Sequence, residues 1–265
     1  MNRELLLEIE DLEVRFPERG RLFRQRARVA VDGVSCEIYK GEVLGLVGES
    51  GSGKSTLGRT LLGLREAHRG RVMFEGHDIL SLGRADTAAL RRRFQIVFQD
   101  PYSSLNPRKT VGSAVFEVLR HVEGLSTAAA SSQTDRLFES VGIDPRTKHR
   151  YPHEFSGGQR QRVAIARALA TQPEFIVCDE AVSALDVSIQ AQILNLLLEL
   201  KAQNPDLTLL FISHALNVVK HVSDRVAVMK DGRIIELRPT DELFNDPETE
   251  YTKRLVSLLP TPIVH

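Results

Sequence analysis

Two cysteines, Cys36 and Cys178, are all that the 265-residue chain contains. Each lies inside an apolar, strand-like run, and neither has a second ligand at C-x-x-C or C-x-x-H spacing. They read as buried thiols in a reducing compartment, not as a disulfide framework or a metal site. Net charge is also missing, because 35 Lys and Arg balance 35 Asp and Glu. That argues against a general nucleic-acid binder, which carries a basic excess. No apolar run approaches the ~20 residues of a membrane-spanning helix. The opening Met1-Asn2-Arg3-Glu4-Leu5-Leu6-Leu7-Glu8 contains acids and no long apolar segment, unlike a signal peptide, so the chain is expected to stay in the cytoplasm. No internal repeat of significant length occurs. What remains, 42% hydrophobic and 26% charged residues, suits a soluble globular protein of one large domain or two smaller ones.

What is present centres on Gly48-Glu49-Ser50-Gly51-Ser52-Gly53-Lys54-Ser55-Thr56, the G-x-x-x-x-G-K-[ST] pattern of a P-loop. The apolar run Glu42 to Val47 before it suits a buried strand, and Lys54 to Leu62 after it suits a helix. In that setting the glycines turn the backbone so that its N–H groups and the helix N-terminus face a phosphate. Lys54 would reach the β- and γ-phosphates and the Ser55 hydroxyl would hold Mg²⁺.

Along the chain, Leu5 to Phe16 and Val29 to Ile38 read as strands, the second carrying a turn or bulge at Asp32-Gly33. The basic insertion Glu18 to Arg28 between them reads as a solvated loop, or as a contact for anionic lipid headgroups. Arg71 to Gly76 is a short strand, Gly83 to Arg93 a helix, Phe94 to Phe98 a strand. Tyr102 to Arg108 reads as a loop, Val111 to His121 and Thr134 to Val141 as helices, and Gly124 to Ser132 as a small, polar connector. Ser156 is placed to cap a helix carrying Val163, Ile165, Ala166 and Leu169. Phe175 to Cys178 is a buried strand, Ser188 to Lys201 a long helix, and Thr208 to Ser213 another buried strand. Arg225 to Met229 and Arg233 to Leu237 flank Lys230-Asp231-Gly232, a β-hairpin pattern. The tail from Asp241 reads as short helices. Apolar strands alternating with helices imply an α/β fold with a mostly parallel sheet. The strandless stretch between Gln99 and Ser156 implies an inserted helical lobe.

A P-loop needs a carboxylate to complete its magnesium site, and Asp179 stands at the end of an apolar strand. Glu180 follows it, placed as general base toward an attacking water. Gln99 ends another strand, where its amide could touch both Mg²⁺ and water. His214 ends a third, within reach of a γ-phosphate. Ligands in open α/β sheets bind at such strand ends. Ser156-Gly157-Gly158-Gln159 is Gly-rich, opens a helix and forms a second plausible phosphate cradle. One ATP needs only one P-loop, so this second cradle requires another explanation.

These motifs, in this order, resemble an ATP-binding cassette (ABC) ATPase over essentially the whole chain. Gly48 to Ser55 matches the Walker A motif and Gln99 the Q-loop glutamine. Ser156-Gly157-Gly158-Gln159 matches the signature, with Phe155 where Leu is more usual. Phe175 to Asp179 matches Walker B, with Glu180 as catalytic glutamate. Ser183-Ala184-Leu185-Asp186 is similar to the D-loop, and His214 to the switch histidine. Phe16 matches the aromatic that stacks on adenine; Phe23 is the alternative for that role, and a core Phe the alternative role for Phe16. Phe98 to Arg108, Arg150 to Arg162 and Glu250 to Leu255 are similar to the dipeptide/oligopeptide/nickel importer branch, in particular to its second ATPase subunit. Ala181-Val182 and Ala215 depart from the residues usual after the glutamate and the histidine; neither removes a chemical group assigned above.

The resemblance implies a single nucleotide-binding domain over residues 1–265. It has a RecA-like, mostly parallel sheet, an N-terminal antiparallel β-subdomain, a helical subdomain over about 102–170 and a family-specific tail over about 239–265. It implies ATP and Mg²⁺, with Ser55, Gln99 and Asp179 toward the metal. It also implies a head-to-tail dimer in which each ATP lies between one P-loop and the partner's signature and D-loop, Asp186 included. The partner ATPase is expected to be a different chain, with a second copy as the alternative. Two membrane permeases, an extracytoplasmic solute-binding protein acting indirectly, and a place on the cytoplasmic face of the inner membrane complete the expectation. Peptides are the expected solute, with nickel or opines as alternatives. No cysteine stands in the tail, so no iron–sulfur cluster is expected. A soluble cassette acting on DNA or ribosomes usually carries coiled-coil insertions or two cassettes, and this chain has neither.

Overall fold

The computed structural model describes residues 4–18 and 26–259. The chain opens with strands β1 (Leu5–Glu18), β2 (Arg26–Tyr39) and β3 (Val43–Val47), helix α1 (Lys54–Leu61), β4 (Arg69–Phe74) and the short β5 (His77–Asp78). Helix α2 (Arg84–Arg93) leads to β6 (Phe94–Phe98), followed by α3 (Pro101–Ser104), α4 (Val111–His121), α5 (Thr127–Ser140) and α6 (Gly157–Leu169) with no strand among them. Then come β7 (Phe175–Asp179), α7 (Val187–Gln203), β8 (Thr208–Ile212), α8 (Leu216–Val222), β9 (Arg225–Lys230), β10 (Arg233–Pro239), α9 (Thr240–Asn245) and α10 (Glu250–Ser257). The chain forms two compact units, Met1–Thr87 with Thr208–His265, and Ala88–Leu207.

The first unit contains an antiparallel sheet in the order β2-β1-β4-β5. Leu7, Leu12 and Val14 of β1 pair with Ile38, Val34 and Val31 of β2, and all six side chains are buried. The register slips around Asp11 and Gly33, both in the left-handed region at φ 46° and 65°, which is the bulge expected at Asp32-Gly33. The same unit holds β10-β9-β3-β8, in which β3 runs parallel to β8 and β9 while β9 and β10 form an antiparallel hairpin. Asp231 and Gly232, at φ 48° and 83°, make the two-residue turn with both centres left-handed that suits strand twist. Every residue of β3 is buried. At Gly45 a Cβ would collide with Val219, so the glycine lets α8 lie directly on the strand.

The second unit contains the parallel pair β6–β7. Phe94 and Phe175 meet edge to face across it, with ring centroids 5.2 Å apart, an arrangement that adds to the energy of burying both rings. At the mouth of the pair Arg93 donates from Nε and Nη2 to the two carboxylate oxygens of Glu174, at 2.5 and 2.9 Å. Helices α4, α5 and α6 close around Val115, Leu119, Phe138 and Val163, all buried. These helices are the strandless lobe read from the sequence, and the α/β class with mostly parallel pairing holds. Residues 102–170 lie within this unit, and residues 239–259 hold the end of β10 with α9 and α10.

Two local expectations are corrected. The stretch Tyr102 to Arg108 is not all loop: Asp100 accepts a hydrogen bond from the Tyr102 N–H at 2.8 Å and caps the short helix α3. The stretch Gly124 to Ser132 is not a connector beyond Ser126, whose hydroxyl accepts from the Ala129 N–H at 3.2 Å and starts α5. The run Thr127-Ala128-Ala129-Ala130 that looked merely small is rich in the best helix former. Of the basic insertion, residues 19–25 lie outside the described residues, and Phe23 with them.

Candidate functional site

The loop after β3 is threaded where side chains cannot go. Gly48, Gly51 and Gly53 adopt φ of 152°, 83° and 107°. A Cβ at Gly48 would strike the Met229 carbonyl of β9, and one at Gly53 the Ala30 carbonyl of β2. Backbone bonds lock the same neighbours: the Gly232 N–H donates to Ser52 O at 3.0 Å, and the Asp32 N–H to Gly232 O at 2.9 Å. Helix α1 starts without a side-chain cap and without an acid in its first turn. An anion site at the positive end of a helix dipole favours such a start. Lys54, only 5% exposed, donates from Nζ to Gly48 O at 2.7 Å, Glu49 O at 2.9 Å and Ser52 Oγ at 3.4 Å. A buried ammonium needs such acceptors, and here they are the loop itself.

Two more expected residues belong to this unit. Phe16 is half-buried near the end of β1, and the Arg65 guanidinium lies 4.9 Å from its ring centroid. Its neighbour on β2 is Arg28, whose guanidinium lies 3.6 Å from where a Cβ on Gly51 would be. His214 is exposed just beyond β8, two residues past Ile212, which pairs with Leu46 of β3. Ser213 before it is buried and donates its N–H to Leu46 O at 3.2 Å; its hydroxyl accepts from the Ala215 N–H at 3.0 Å. Ala215 therefore sits in a turn held by backbone and serine.

The remaining residues belong to the second unit. Asp179 ends β7, 3% exposed, opposite Phe98 of β6. Glu180 follows at φ 51°, a left-handed conformation that a non-glycine residue adopts at a cost of about 1–2 kcal/mol. The turn is held by the Ser183 N–H, which donates to Glu180 O at 3.1 Å, and by the Ser183 hydroxyl, which donates to the same oxygen at 3.0 Å. The Gln99 amide donates to that hydroxyl at 3.0 Å, so Gln99 is brought to the turn that carries Glu180. Ala181 and Val182, which follow Glu180, are buried.

Ser156 and Gln159 cap α6 reciprocally. Ser156 Oγ accepts from the Gln159 N–H at 3.3 Å, and Gln159 Oε1 from the Ser156 N–H at 2.9 Å. A Cβ on Gly158 would lie 2.5 Å from Ile189 of α7, and one on Gly157 3.3 Å from Leu185. The glycines thus fit the signature turn closely against the segment that starts α7, where Asp186 is exposed at the N-cap position. Cys178, next to Asp179, has its thiol pushed up to about 12 by burial, as has Cys36. Neither is a thiolate nucleophile at neutral pH.

Arg28, Arg65 and Tyr251 stand near these residues without having been singled out as site residues. Tyr251 lies in a stretch noted only as resembling a family tail. No periodicity or spacing in the sequence links it to the loop 202 positions away.

Comparison with known proteins follows from this geometry. The model of the family described as "ABC transporter" matches residues 31–183. Two relatives from Bacillus subtilis (strain 168) are similar over 98% of this chain. The oligopeptide transport ATP-binding protein AppF is 48% identical over 262 residues, 79% of its length, and the oligopeptide transport ATP-binding protein OppF is 49% identical over 262 residues, 84% of its length. Among solved structures, the dimeric post-hydrolysis state of the ATP-binding cassette MJ0796 bound to ADP and Pi matches with a TM-score of 0.76. It is 26% identical, with 89% of this chain and 99% of that one covered.

Proposed function

This chain belongs to the ABC transporter family, and on that premise we propose that it is the ATP-hydrolysing subunit of an importer of oligopeptides. The observation that carries the reading is the loop Gly48 to Ser55, with its buried Lys54, its positive-φ glycines and an α1 N-terminus without side-chain cap or first-turn acid. Peptide uptake is supported by relatives named as oligopeptide transport ATP-binding proteins along nearly the whole chain.

In this reading the N–H groups of Glu49 to Thr56 and the Lys54 ammonium bind the β- and γ-phosphates, and Phe16 stacks on the adenine. The oxygen donors Ser55, Gln99 and Asp179 suit Mg²⁺, a hard cation held by few protein ligands. When bound, it would neutralise charge on the phosphate oxygens. Glu180 takes the proton of the water that attacks the γ-phosphorus as ADP leaves, and Gln99 and His214 orient water and γ-phosphate. Ser156, Gly157, Gly158, Gln159 and Asp186 face the nucleotide of a partner ATPase. A solved cassette of this fold is a dimer holding ADP and Pi, which favours such an assembly. The partner is inferred to be a second ATPase subunit of different sequence, and the pair to sit on the cytoplasmic face of the membrane beneath two permeases. Among the described residues no helix is long and apolar enough to cross a membrane.

The test is purification from membranes followed by transport. Two multi-span permeases should accompany the chain, and reconstituted vesicles should take up labelled oligopeptide only with ATP. Purification with ribosomes or DNA and without permeases would overturn the reading.

A further inference from the structure

The C-terminal helix reaches back to the phosphate loop through one hydroxyl. Tyr251, in the first turn of α10, accepts a hydrogen bond from the Glu49 N–H at 3.2 Å. That N–H belongs to the same peptide plane as Gly48 O, which accepts from Lys54 Nζ at 2.7 Å. A single rigid peptide is therefore gripped at its N–H end by the tail and at its carbonyl end by the lysine. Neither grip is made by Gly48 itself, which has no side chain and sits at φ 152°.

The tail is built to hold Tyr251 there. Glu236 of β10, 5% exposed, accepts the N–H groups of Glu248 and Thr249 at 2.9 and 3.1 Å. Thr249 caps α10 by accepting from the Thr252 N–H at 3.1 Å, and Thr252 is fully buried. The Lys230 ammonium lies 4.9 Å from the Tyr251 ring centroid, tying the ring to the hairpin whose Gly232 also bonds the loop. Burial pushes the phenol above its ordinary range, so the hydroxyl is intact at neutral pH.

We propose that Tyr251 is a positioning residue of the nucleotide site, fixing the Gly48–Glu49 peptide whose carbonyl helps to aim Lys54 at the phosphate. The inference rests on the reading of the loop as an ATP site. The N–H bond to Tyr251 holds this peptide at the end opposite Lys54. Without that bond the peptide is held at its carbonyl end alone, and the entrance of the loop is less ordered before ATP arrives.

The experiment compares binding of a fluorescent ATP analogue with Mg²⁺ by the full chain, Tyr251→Phe and Lys253→Ala. Phe keeps the ring beneath Lys230 and removes only the hydroxyl. Its Kd should rise about three- to tenfold, the size of one net hydrogen bond, with an unchanged melting temperature. In the assembled transporter the KM for ATP should rise while kcat at saturation is retained. Lys253→Ala, on the same helix but away from the loop, should match wild type. Equal Kd for Tyr251→Phe and wild type would overturn the inference alone. A higher Kd with a lowered melting temperature and lowered kcat would mark a general defect and overturn it too. Failure of the wild-type chain to bind nucleotide would remove the ATP reading and this inference with it.

Discussion

Glu180 combines a chemical role with an awkward backbone. Its φ of 51° is held by two hydrogen bonds from Ser183 onto its own carbonyl, so the carboxylate is presented from a turn that cannot relax without breaking them. If it is the base, Glu180→Gln should lower kcat for ATP hydrolysis by about 10²–10⁴ while nucleotide affinity stays at the wild-type value. Single-turnover hydrolysis and equilibrium binding check the two halves, and retained turnover would remove Glu180 from the mechanism. The glycines of the loop separate strain from collision in the same way. Gly51→Ala adds a side chain at φ 83° with nothing nearer than the Arg28 guanidinium at 3.6 Å, and should cost about 1–2 kcal/mol. Gly53→Ala adds the same strain at φ 107° and also drives a methyl into the Ala30 carbonyl, so its loss should exceed about 3 kcal/mol. Urea unfolding of both variants measures the difference.

Elements were legible where hydrophobic period and punctuation agreed. β3 is apolar throughout, β7 is apolar up to Asp179 and β8 after Thr208, and all three are buried; Asp231-Gly232 announced its hairpin by turn chemistry. Element starts were less legible. Asp100-Pro101 is a cap followed by a good first-turn residue, yet the turn formers after it hid α3. Ser126 opens α5 with alanines and serines that carry no hydrophobic stripe; packing of Ala130, Thr134 and Phe138, all buried, decides the helix. The tail's grip on the loop was invisible because it depends on a carboxylate meeting N–H groups from another element. Glu236 is where that grip can be titrated. Burial alone would raise its pKa, but the N–H groups of Glu248 and Thr249 and the hydroxyls of Thr249 and Thr252 outweigh it, and the folded value is lowered. A lowered folded pKa gives stability that is full above the unfolded value of about 4.3 and is lost as pH falls through the folded one. Hydrogen exchange at residues 248–257 should therefore accelerate selectively as pH falls below about 4, after correction for intrinsic rates. In Glu236→Gln that acid step should vanish, with protection already weak at neutral pH.

At the scale of the molecule, each compact unit carries its own share of the residues proposed for ATP chemistry. Phe16, the phosphate loop and His214 lie in the first, and Gln99, Asp179 and Glu180 in the second. The sequence shows these as separate strand ends, because each polar residue follows its own apolar run. What no strand end supplies is a use for Ser156 to Gln159. That turn has its own capping box and its own close fit of Gly158 against Ile189, so it is formed whether or not a nucleotide is near. A preformed second cradle in a chain with one phosphate loop is best used on someone else's ATP. Binding should then be a property of one chain and hydrolysis a property of two. Nucleotide affinity per chain should not depend on protein concentration. Turnover per chain should rise with concentration, or on addition of the partner ATPase, until dimers saturate. The wild-type chain, assayed across a wide concentration series with and without that partner, checks this. Turnover per chain that is high in dilute solution and indifferent to both would show the site complete within a single chain.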